Sequence, residues 1–127
     1  EDDRPVHANR PANSSSSECT YARDLVDLYR TREEIASMAR DNAAWLQRRG
    51  ILARTVTIKV RYDDFTTITR SDTRAPANDP DEIARRAVDL LSKTEAGERP
   101  VRLLGAGVHN FEAGEADGTK LPFESGI

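Results

Sequence analysis

The sequence predicts an α+β fold, a four-stranded, largely antiparallel sheet with two helices on one face, in the order β-α-β-β-α-β. Three observations predict it. Residues 53–71, "ARTVTIKVRYDDFTTITRS", alternate apolar and polar side chains around a short acidic turn, the pattern of a hairpin with one buried face. Two segments carry apolar residues at helical spacing behind recognisable start signals. The strand segments alternate rather than run apolar throughout, so one sheet face needs cover and the other meets solvent.

Each element follows in order. Residues 1–13 are polar, contain Pro5 and Pro11, and read as a linker or extended arm. A strand is predicted from about 14 to 21, with Ser15, Ser17, Cys19 and Tyr21 on one face. In "TREEIASMARDNAAWLQRRG", Thr31 and Glu34 have the spacing of a capping box. Ile35, Met38, Ala39, Asn42 and Leu46 recur on one helical stripe, and Gly50 is placed to end the helix. Asn42 is a polar member of that otherwise apolar stripe.

The hairpin comes next, with Val56, Ile58, Val60 and Tyr62 inward, Thr55, Thr57, Lys59 and Arg61 outward, and Asp63-Asp64-Phe65 at the tip. Asp79 is the predicted N-cap of the second helix, with Pro80 at its first position and Glu82 completing the box. Ile83, Ala87, Leu90 and Leu91 form its stripe, and Gly97 and Pro100 close it. "VRLLGAGVHNF", 101–111, is the last strand, with Leu104, Ala106 and Val108 inward and Gly105 and Gly107 outward. The acidic, glycine-rich remainder, 112–127, reads as a flexible tail. The predicted organisation is therefore an arm at 1–13, one domain at 14–111 and a tail.

A 37% hydrophobic share fits one small core rather than a deep catalytic cavity. No apolar run reaches the ~20 residues of a membrane span, nothing at the start resembles a signal peptide, and one cysteine points to a reducing, cytoplasmic setting. The net charge of −3 argues against a polyanionic partner until its distribution is considered. Residues 51–74 carry Arg54, Lys59, Arg61, Arg70 and Arg74 against Asp63, Asp64 and Asp72, and 101–111 carry Arg102 with no acid. Positive charge thus collects on the predicted strands, and a local field decides what a surface attracts.

Several motifs have plain readings. Asp63 and Asp64 invite comparison with paired metal-binding aspartates, but aspartates are common in a turn between alternating strands. The "GAG" at 105–107 lacks a third spaced glycine and opens no helix, which argues against a dinucleotide site. His7 and His109 have no companions at metal spacing; His109 is a candidate phosphate contact. Trp45 reads as a packing residue and Cys19 as a strand residue.

The hairpin, the last strand and "SSECTYARDL" upstream together resemble the C-terminal little-finger domain of the DinB-type, Y-family translesion DNA polymerases (the DNA polymerase IV group). The resemblance runs from about residue 3 to 111. It implies a four-stranded sheet backed by two helices, whose open face lies along the DNA backbone in the major groove, tethered to catalytic domains outside this chain. A face of hydroxyls, long cations and bare backbone suits phosphates and carries no sequence information. The resemblance therefore implies DNA contacts from Ser16, Ser17, Lys59, Arg61, Thr67, Thr69, Arg70, Ser71, Arg102, Gly105, Gly107 and His109. It implies magnesium for the parent polymerase and none in this chain, primer–template duplex as partner, and the sliding clamp as a second partner through Leu121 and Phe123 in the tail. This chain departs from the family pattern at Ala12-Asn13-Ser14-Ser15, where the family has Arg-Lys-Ser-Val, and at Asn42, where the family has an aliphatic residue. The expectation is a sequence-independent duplex-binding domain without catalysis of its own. The competing expectation is a protein-interaction module; a small stand-alone enzyme finds no supporting constellation.

Overall fold

The computed structural model describes residues 14–114. The predicted arm at 1–13 and most of the predicted tail, with Leu121 and Phe123, lie outside the described residues. The elements are β1 (Ser14–Leu25), α1 (Leu28–Arg49), β2 (Ile51–Tyr62), β3 (Thr67–Ala77), α2 (Pro80–Leu91) and β4 (Val101–Ala113). The strands lie in the order β1-β4-β2-β3, every neighbouring pair antiparallel. Each helix is thus a crossover: α1 carries the chain from β1 over β4 to β2, and α2 from β3 over β2 to β4. Both helices pack on one sheet face and on each other.

The inner face is built by strict alternation. Val56, Ile58 and Val60 of β2 stand opposite Val108, Ala106 and Leu104 of β4, and all six are buried. Ile35, Ala39, Ala43 and Leu46 of α1 and Ile83, Ala87 and Leu91 of α2 close over them. Trp45 packs on Phe111 with ring centroids 5.6 Å apart, and the Arg49 guanidinium lies 4.7 Å above the indole. No described helix is long and apolar enough to cross a membrane.

Two helix ends match the sequence reading. Gly50 caps α1 at φ 66°, the left-handed conformation that glycine adopts without steric cost. Asp79 caps α2, its side chain accepting from the Glu82 amide at 2.9 Å. The start of α1 differs. Asp27, one turn before Thr31, is the cap and accepts from the Tyr29 amide at 3.0 Å. Thr31 lies inside the helix and donates its hydroxyl to the Asp27 carbonyl at 2.9 Å, while Glu34 accepts from the Tyr21 hydroxyl at 2.9 Å. Burial and that carboxylate hold the Tyr21 phenol above its usual range. The capping-box spacing is present, but both side chains are used elsewhere. The second helix also stops earlier, at Leu91, where the Ser92 and Thr94 hydroxyls donate to the Asp89 and Leu91 carbonyls.

β1 extends four residues past the predicted end and β4 two, so Glu112 and Ala113, assigned to the tail from sequence, pair with Leu52 and Ile51. The polar inner positions of β1 have a partner. Asn42 is 2% exposed; its Oδ1 accepts from the Ser15 hydroxyl at 2.6 Å, and its Nδ2 donates to the Ala106 carbonyl at 3.1 Å and the Met38 carbonyl at 2.8 Å. The Ser17 hydroxyl lies at 3.4 Å from the same Nδ2. The two departures from the family pattern, at Ser15 and at Asn42, are one hydrogen-bonded unit.

Candidate nucleic-acid interface

The face opposite the helices is assembled by register alone. Directly opposed residues share a sheet face. Lys59 stands opposite Thr69 and Gly105, Thr57 opposite Ser71 and Gly107, and Arg61 opposite Thr67 and Leu103. Across β4, Gly107 stands opposite Ser16, Gly105 opposite Glu18, and His109 opposite both Ser14 and Thr55. The outer face is thus a strip of hydroxyls, Lys59, Arg61 and His109, with a side-chain-free track along Gly105 and Gly107. That track forms a shallow groove of about 320 Å³ lined by Ser14 to Glu18, Thr57, Lys59, Thr69 and residues 105–109.

Gly107 is required by the approach of β1. A Cβ there would lie 2.9 Å from the Ser15 carbonyl oxygen and 2.9 Å from Ser16 Cβ, closer than real side chains come. The glycines therefore serve the sheet as well as any ligand laid along it.

Nine of the twelve residues named from sequence fall on this side by register: Ser16, Lys59, Arg61, Thr67, Thr69, Ser71, Gly105, Gly107 and His109. Arg102 has no register partner, since Arg61 pairs with Leu103 and Tyr62 with Val101, leaving it as the extra residue of a bulge. Its guanidinium lies 4.7 Å over the ring of Phe65, an exposed aromatic at φ 70°, and Nη1 is 3.8 Å from Asp24 Oδ1.

Two assignments are corrected. Ser17 stands opposite Ala106 and points to Asn42, on the helix side. Arg70 stands opposite the buried Ile58, so it shares the helix face; its Nε donates to the Lys93 carbonyl at 3.3 Å and its Nη1 to the Thr69 carbonyl at 2.8 Å. The reason in both cases is the two-residue period of a strand, which forbids Ser16 and Ser17, or Thr69 and Arg70, from facing the same way. Thr57, read as outward from sequence, joins this face, as do Ser14 and Glu18, which alternation places beside Ser16; Thr55 is outward by register but buried against Thr73 and Asn110. What alternation alone does not give is that Glu18 meets Lys59, which depends on β1 being set against β4.

The positive field of the face is smaller than its cations suggest. Lys59 Nζ lies 2.7 Å from Glu18 Oε2 and Arg102 Nη1 3.8 Å from Asp24 Oδ1, whereas Arg61 Nε donates to the neutral Thr67 Oγ1 at 2.8 Å and keeps its charge. At the hairpin tip Asp64 accepts from the Thr66 amide at 2.9 Å and from Arg99 Nη2 at 2.8 Å. The Thr66 hydrogen bonds, with the Arg99 guanidinium beside them, hold its carboxyl below the usual carboxylate range. These are the contacts of a turn and do not form a cradle for a metal ion.

Residues 12–121 match the impB/mucB/samB family C-terminal domain. The chain belongs to that family. A DNA polymerase IV from Alkalilimnicola ehrlichii is 48% identical to this family member over 107 residues, 84% of this chain and 30% of the relative. One from Streptomyces coelicolor is 41% identical over 108 residues, 84% of this chain and 22% of the relative. The family domain thus spans less than a third of these relatives. Among solved structures, the little finger domain of PolIV in a complex with the beta-clamp processivity factor superposes with a TM-score of 0.61 at 21% identity, covering 76% of this chain and 86% of that one. A post-insertion binary complex of Dbh DNA polymerase superposes with a TM-score of 0.67 at 14% identity, covering 79% of this chain and 29% of that one. The first of these likenesses gives this chain the fold of that little finger domain.

Proposed function

We propose that this chain is the duplex-binding little finger of a DNA polymerase IV-type translesion polymerase, holding primer–template through its phosphates while domains outside the chain copy damaged DNA. One observation carries the reading: the whole sheet face opposite the helices offers hydroxyls, two strand cations and a glycine track, and no large apolar side chain stands exposed among its strand positions. Such a surface contacts phosphodiesters without reading base edges. The parent's magnesium would be held by catalytic carboxylates elsewhere, since Asp64 is committed to Thr66 and Arg99. Acting on chromosomal DNA in a reducing compartment, the protein belongs in the cytoplasm.

The test is fluorescence anisotropy of two labelled duplexes of unrelated sequence, titrated across a range of salt. The reading expects equal affinities for both, with log affinity falling against log salt by about 0.9 per phosphate contacted. A marked preference for one sequence, or affinity indifferent to salt, would contradict it.

A second reading is favoured by the solved little finger bound to a clamp: the chain also docks on a sliding clamp through Leu121 and Phe123. Because β4 runs through Ala113, the informative truncation removes residues after Gly114 rather than after Phe111. DNA binding should survive that truncation, and clamp binding should be lost.

A further inference from the structure

The outer face carries an acid in the middle of its glycine track. Glu18 of β1 stands opposite Gly105 of β4, and Gly105 stands opposite Lys59 of β2. A Cβ on residue 105 would lie 3.1 Å from Glu18 Cγ and 3.4 Å from Lys59 Cβ, so the bare glycine gives the two side chains the space in which they meet above the strand. The carboxylate reaches across β4 and takes the Lys59 ammonium at 2.7 Å, in the groove lined by Ser16, Thr57, Thr69 and Gly107.

A carboxylate and a phosphodiester present the same chemistry to an ammonium: one negative charge spread over oxygens that accept charge-assisted hydrogen bonds. The geometry points to Glu18 as an internal competitor for DNA phosphate, occupying Lys59 in the free protein and setting how tightly the face holds a duplex. This inference rests on the DNA-binding reading and adds a residue that limits it. For Lys59 to take a phosphate it must give up the carboxylate and leave Glu18 facing a polyanion, so in the wild type the pair stays closed and Lys59 adds no phosphate contact of its own. The side chains of Glu18 and Lys59 remain 49% and 35% exposed, so removing the carboxylate alone is enough to leave the ammonium open to a phosphate. The consequence is a face that binds any duplex loosely, as a surface that must travel with its primer terminus requires.

The test compares variants of the whole chain by anisotropy of one labelled duplex at 50 and 200 mM salt, with circular dichroism melting to confirm folding. Glu18→Gln frees Lys59. It should bind more tightly than wild type and, having gained one phosphate contact, lose about 3-fold more affinity between the two salts. Glu33→Gln, which removes an exposed acid on the far side of α1 and leaves the same net charge, should not reproduce the gain. The decisive comparison is wild type against Glu18→Gln/Lys59→Gln. These two have equal net charge, and if Lys59 is already cancelled by Glu18 their affinities and salt slopes coincide. A wild type that binds clearly better than the double variant would overturn the inference, as would a Glu18→Gln gain matched by Glu33→Gln. Either result leaves the DNA-binding reading intact so long as wild type binds. Failure of every form to bind would overturn both.

Discussion

Arg61 and Arg70 lie on adjacent strands of one hairpin, yet they answer to different neighbours. Arg61 stands on the outer face beside Thr67, whereas Arg70 shares a face with Ile58 and bonds to the chain just beyond α2. Arg61→Gln should therefore weaken duplex binding for all sequences and lower the salt slope by about 0.9, the value for one phosphate; Arg70→Gln should change neither. Anisotropy of the two variants against wild type checks this, and equal losses would place DNA on the edge of β3 rather than across the sheet. Arg86 is the residue on which stability turns. It is 2% exposed beneath β3, where Nε bonds Asp72 Oδ2 at 3.0 Å and Nη2 donates to the Arg54 carbonyl at 2.7 Å and the Asp72 carbonyl at 3.1 Å. Arg86→Ala removes those bonds and should cost roughly 2–3 kcal/mol by chemical denaturation, the scale for charged hydrogen bonds lost in a protein interior. Burial pushes the Asp72 carboxyl upward, but the Arg86 and Arg74 guanidiniums outweigh it and hold the group below the usual carboxylate range. A group lowered on folding contributes stability that is present above its unfolded pKa, about 3.9 for aspartate. That contribution is lost as pH falls through the folded value. Asp72→Asn should accordingly lose less stability than wild type between neutral pH and pH values below about 4.

At the scale of elements, the contact between β1 and α1 is where this chain uses polar groups in place of apolar ones. Asn42, Ser15 and the Ala106 carbonyl satisfy one another beneath the helix. Asn42→Leu alone leaves the Ser15 hydroxyl and that carbonyl without their side-chain partner and should cost about 1–3 kcal/mol. Ser15→Val combined with Asn42→Leu exchanges polar for apolar on both sides, and a full exchange of partners is often nearly neutral. Thermal or urea unfolding of the single and double variants checks the coupling; simple additivity would show that the two residues act independently. Gly107 tests the other side of the same strand pair. Gly107→Ala places a methyl carbon 2.9 Å from backbone and side-chain atoms of β1, and overpacking of this kind costs about 1–3 kcal/mol. Loss of stability with β1 displaced is the expected outcome; an unchanged melting temperature would mean that β1 yields freely.

For the molecule as a whole, the sheet and its helices were legible because the apolar residues of β2 and β4 alternate cleanly and Gly50 and Asp79 are unambiguous helix ends. The start of α1 was not, because Thr31 and Glu34 have capping spacing but spend their side chains on the Asp27 carbonyl and Tyr21. The site was legible where alternation was followed and misread where residue type replaced it: a serine and an arginine look suited to phosphate wherever they stand, but Ser17 and Arg70 face the helices. The bulge at Arg102 and the Glu18–Lys59 pair belong to register between distant strands, which single-strand patterns do not contain. The central claim is that one sheet face, and not the helical one, holds the duplex. The measurement that tests it most directly is amide chemical-shift mapping of the labelled chain with an unlabelled duplex at low salt. Shifts should concentrate at Ser14, Ser16, Thr57, Lys59, Arg61, Thr69, Gly105 and Gly107 and reverse as salt rises. Shifts concentrated on α1 and α2, with the glycine track unmoved, would contradict it.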